Sequence, residues 1–182
     1  IDQLINEIAT YFDTSGQDDP EILLEEILQQ INQLLPEMAS SIKIRNWINT
    51  LDLSVGIIQN NNVFMASIGN ITGLLIQNKQ ITTIMNKNTE INPSKVFSDI
   101  ISGELDDGDG LVVSTSSLFD YISKEKVKQI INHYSPSAAA IKINELLETV
   151  PDFVTFNSLI IKKPGVNDRE INPDEIKKSI DL

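Results

Sequence analysis

Residues 53–85 read LSVGIIQNNNVFMASIGNITGLLIQNKQITTIM, and no other stretch constrains the chain as tightly. LSVGIIQ and VFMASIG flank NNN, and GLLIQ and QITTIM flank NK in the same way. Asparagine tolerates left-handed backbone angles and favours tight turns. Short apolar runs joined by such turns predict an antiparallel meander from about 53 to 85.

The flanks read differently. Ile1, Leu4, Ile5, Ile8 and Phe12 recur at helical spacing before DTSGQDD breaks the pattern. Asp19 as a cap and Pro20 at the first helical position open a second helix, expected to bury Ile22, Leu23, Ile27, Leu28, Ile31, Leu34 and Leu35. Pro36 is expected to end or kink it; residues 36–50 are ambiguous, with Trp47 and Ile48 suggesting that they still cover core. After the meander, PSKVFSDIIS predicts a short helix opened by Asn92-Pro93 or Ser94. LVVST predicts a buried strand, KEKVKQIINHY a helix capped by Ser123, Ser135-Pro136 the start of another helix through Leu147, and SLIIKK a final strand. From Pro164 onward the chain is polar and reads as a tail or linker. The order of helices, strands, helices and a strand predicts a layered α+β domain.

Composition narrows the function. At 182 residues and 41% hydrophobic, the chain can bury a sizeable core. Its net charge of −12, with Lys and Arg thinly spread, argues against a nucleic-acid surface and against contact with an anionic membrane. No cysteine means no disulfide, no thiolate nucleophile and no zinc–thiolate site. A single histidine, His133, excludes a multi-His metal site and leaves little room for a Ser-His-Asp mechanism; its place near a helix end reads as capping. No apolar run spans a bilayer, no signal-peptide pattern is present and the absence of cysteine favours a reducing cytosol, so a cytoplasmic location is expected. Without an initiator Met, the chain reads as an excised or processed piece.

The stretch GELDDGDGLVVSTSSLFDYIS, residues 103–123, gathers the candidate chemistry. Glu104, Asp106, Asp107 and Asp109 crowd one turn. A calcium loop of the EF-hand type wants an acid first, glycine sixth and glutamate twelfth. Setting Gly110 sixth puts Leu105 first and Ser116 twelfth, and both are wrong. The turn therefore reads as solvated scaffold before a buried strand. Ser114, Thr115, Ser116 and Ser117 lack a Gly-x-Ser-x-Gly elbow and a choice of base, so they read as strand-end and capping groups.

Three segments, in order, resemble the metal-dependent serine/threonine protein phosphatases of the 2C family. VFMASIGNITGLLIQNKQITTI is similar to that family's strand–Gly-Asp-Ser-Arg–strand hairpin. FSDIISGELDDGDGLVVSTSSLFDYISKEKVKQII resembles its Gly-x-Leu, Gly-Asp, apolar strand and Ser-Asp-Gly-Leu-x-Asp segment, and FVTFNSLIIKK its closing Asp-Asn and last strand. The resemblance implies a layered α-β-β-α sandwich of two mainly antiparallel sheets flanked by helices, lacking the first strands. It implies a phosphatase 2C-like domain over 1–163, incomplete at its N-terminus, followed by a polar tail or linker over 164–182. Gly103, Leu105, Asp109, Leu118 and Asp120 match the family's framework.

The family's chemistry needs two magnesium or manganese ions held mostly by aspartates, which activate a bridging water for in-line attack on phosphorus. Here Ser116 stands at one metal-binding aspartate and Phe156 at another, and Gly-Asp-Ser-Arg has become Gly69-Asn70-Ile71-Thr72, which alters the hairpin at Asn70 and Thr72. The resemblance therefore implies a pseudophosphatase: no catalytic residue, no cofactor, and a regulatory or interaction role toward an unknown protein partner. Two alternatives stand beside it. One is a divergent magnesium- or manganese-dependent phosphatase completed by residual acids such as Asp109 and Asp120 with an absent N-terminal segment. The other is an unrelated acidic α+β binding domain.

Overall fold

Asp19 does what its position calls for. Its Oδ1 accepts from the backbone N–H of Glu21 at 2.9 Å and of Ile22 at 3.2 Å, satisfying two donors that open a helix without partners. The structure is a computed structural model and describes residues 2–42, 50–86, 95–97, 99–151 and 153–165. Its elements in chain order are α1 (Asp2–Thr14), α2 (Pro20–Ile42), β1 (Leu53–Gln59), β2 (Asn62–Ile68), β3 (Ile71–Gln77), β4 (Gln80–Met85), β5 (Ile101–Glu104), β6 (Gly110–Thr115), α3 (Lys124–His133), α4 (Pro136–Leu147) and β7 (Ser158–Lys162). A short 3-10 helix, Ser116–Asp120, lies between β6 and α3. The chain divides into two units, 1–71 with 87–104 and 72–86 with 105–182.

In the first unit the sheet order is β1-β2-β5. β1 and β2 run antiparallel from Leu53 opposite Ile68 to Gln59 opposite Asn62, and Asn60 turns the hairpin at φ +57°. Leu4 of α1 and Leu24, Ile27, Ile31 and Leu35 of α2 pack against Ile57, Ala66 and Ile68 of the sheet. Tyr11 of α1 donates to Glu26 of α2 at 3.2 Å.

Three expectations are corrected here. α2 runs through Pro36 to Ile42, because Leu35 is buried and Leu34 and Met38 pack on the core on both sides of the proline, outweighing one lost backbone bond. On the same helix Ile22 is 45% exposed, and Leu24, which the spacing left out, is fully buried. The helix expected over PSKVFSDIIS is absent from its described part. The N–H groups of Val96 and Phe97 bond to Asn32 Oδ1 at 2.9 and 3.2 Å, and Ile101–Glu104 pairs with β2 as a strand. A side chain and a neighbouring strand supply the partners that helical carbonyls would have given. The start of that segment and Trp47 lie outside the described residues.

In the second unit the order is β4-β3-β6-β7. β3 and β4 join through Asn78 and Lys79, both at positive φ (50° and 60°), as a tight antiparallel turn requires. The expected meander is thus two hairpins in two different sheets: β2 takes β5 as its second neighbour and β3 takes β6. Short loops made the four strands look consecutive, and long-range pairing divides them. α3 and α4 pack on Leu74, Ile76 and Val112 through Val127, Ile130, Ile131, Ala139 and Ile143. A Cβ at Gly110 would meet Ile131 at 2.6 Å, so this glycine lets α3 approach the sheet. Ser123 caps α3, accepting from Lys126 N–H at 3.2 Å.

Candidate functional site

Thr72 at the start of β3, Ser116 after β6 and Asn157 before β7 come from three strands that are neighbours in one sheet, so their ends meet. Thr72 Oγ1 and Ser116 Oγ share a hydrogen bond of 2.6 Å, and the Thr72 side chain is buried. Thr115 N–H donates to Asn157 O at 3.0 Å, while Asn157 N–H and Ser117 Oγ–H donate to Thr115 Oγ1 at 3.3 and 3.4 Å. Ser114 donates to the carbonyls of Thr115 and Asn157, both at 3.1 Å, and lies 2.7 Å from Ser158 Oγ. The hydroxyls of the STSS run therefore bond to one another, to Thr72 on β3 and to the start of β7. No buried side-chain nitrogen or oxygen among the described residues lacks a partner.

Phe156 is half-buried. It packs against the second unit's core, and its ring meets Tyr121 edge-on with centroids 5.5 Å apart. Leu118, fully buried in the same core, pins the 3-10 helix, and Asp120 at its end is exposed. Lys124 donates to Thr83 on β4 at 3.0 Å and lies 5.7 Å from the centre of the Phe119 ring.

The acidic turn lies at the opposite end of β6. Asp109 precedes that strand and Ser116 follows it, so about 20 Å of extended chain separates them. Asp109 is buried. Its Oδ2 accepts from Gln77 Nε2 at 2.7 Å and from Asp106 N–H at 2.9 Å. Its carbonyl accepts from Lys163 N–H, and Lys163 O accepts from Gly108 N–H, both at 3.0 Å, while Lys163 Nζ meets Asp107 at 2.9 Å. Asp109 thereby ties the end of β3, the start of β6 and the end of β7. The turn serves as scaffold, but through a buried carboxylate where the sequence suggested solvated acids; Glu104, Asp106 and Asp107 are the exposed ones.

Gly69 and Asn70, in the hairpin segment that the resemblance singles out, sit on a tight link. Gly69 has φ +79°, and a Cβ there would collide with the Leu51 carbonyl. Asn70 N–H donates to Asp52 Oδ1 at 2.6 Å. His133 ends α3, with Nδ1 2.7 Å from Gln129 O, a local helix-end contact far from catalytic geometry.

These donors do not fit a hard divalent cation. The Ser116 hydroxyl is neutral and engaged with Thr72, and the half-buried Phe156 ring packs against the second unit's core; neither supplies the anionic oxygen that such an ion prefers. Among the described residues no group of three or more His, Asp and Glu side chains could hold a metal. None of their helices is long and apolar enough to cross a membrane.

Two antiparallel sheets with their helices give this chain the α+β sandwich fold of the phosphatase 2C class, as the sequence resemblance implied. The fold is similar to that of PppA, a regulatory component of T6SS in Pseudomonas aeruginosa (TM-score 0.69, 11% identity, 88% of this chain and 79% of that one). It is similar to the serine/threonine phosphatase PstP/Ppp of Mycobacterium tuberculosis (TM-score 0.65, 14% identity, 88% and 80%). A structure of the PstP catalytic domain with two manganese ions matches at TM-score 0.58 and 16% identity, over 79% of this chain and 71% of that one. No protein-family model and no curated protein matches the sequence.

Proposed function

We propose that the chain is a non-catalytic domain of phosphatase 2C fold that binds a protein partner, a pseudophosphatase with an interaction or regulatory role. The carrying observation is the 2.6 Å bond between Thr72 and Ser116, which puts a satisfied hydroxyl pair where the resemblance places a metal-binding aspartate. Phe156, packed against Tyr121, supports the reading at the second position. Asp109, occupied by Gln77 at the far end of β6, is poorly placed to replace either carboxylate. The acidic composition favours a protein partner over nucleic acid or an anionic membrane.

The test is calorimetric titration of manganese and magnesium into the purified chain, beside a p-nitrophenyl phosphate assay. Neither binding nor turnover is expected. Micromolar binding with metal-dependent turnover would replace this reading with that of a divergent phosphatase.

A further inference from the structure

We draw no further inference here: the strongest candidate, the cleft of about 490 Å³ between α4 and β7 lined by Ile143, Leu147, Phe156, Asn157, Ser158 and Leu159, opens on the outer edge of a sheet in a domain read as lacking its first strands, and nothing in the structure shows what covers it.

Discussion

A single carboxylate, Asp109, shows how the same residue type reads differently by position. It is an acid beside three others in sequence, yet it alone is buried, and it holds Gln77 and the Asp106 N–H. Asp109→Ala leaves both donors without their partner and is expected to destabilise the chain by about 1.5–3 kcal/mol, against a few tenths for Asp107→Ala; urea denaturation of the two variants measures the difference. At the other end of β6 the expected change is a gain. Replacing both Ser116 and Phe156 with Asp puts carboxylates at the two positions where the resemblance expects them, so millimolar manganese should raise the variant's Tm while leaving the parent's where it was. A variant that folds and ignores manganese would show that these two positions do not complete a metal site. That Ser116 directly follows the buried LVVST strand was legible in the sequence. Its bond to Thr72 was not, because 44 residues separate the two and only sheet order brings them together.

Among the elements, α2 is the one whose local signals and tertiary context disagree most. Pro36 lies inside it and is exposed, so the ring costs a backbone bond to the carbonyl of Asn32 and earns no packing of its own. Pro36→Ala should raise unfolding free energy by about 1–3 kcal/mol, read from the denaturation midpoint at unchanged slope. A lowered midpoint would mean that the proline's geometry is needed where α2 meets the core. Asn32, one turn earlier, caps Val96 and Phe97 with its side chain, so the helix end and the irregular segment before β5 depend on each other. The caps of α2 and α3 could be read from Asp19-Pro20 and Ser123, since both act within three residues. The β5 strand could not: Ile101–Glu104 has no strong local strand signal and takes its form from β2.

At the scale of the molecule, the two sheets give each unit its own buried centre. β6 is buried along its whole length, and β2 and β3 each have a strand on both sides. Amides of β2, β3 and β6 should therefore exchange slowest in the free chain and those of the outer strands β1 and β7 markedly faster; equal protection of β7 and β6 would contradict the strand order. The sequence by itself determined the locations of the hairpin turns, the capped helices and the buried LVVST strand, because turn chemistry, capping and short apolar runs act over a few residues. Only the tertiary structure decided that the apparent meander splits between two sheets, that Asp109 is a buried tie, that α2 passes through its proline, and that Ile5 and Phe12 stay exposed while Leu4 is buried in the core. Each of those outcomes depends on which distant backbone or side chain supplies the partner, and a one-dimensional pattern carries no record of that choice.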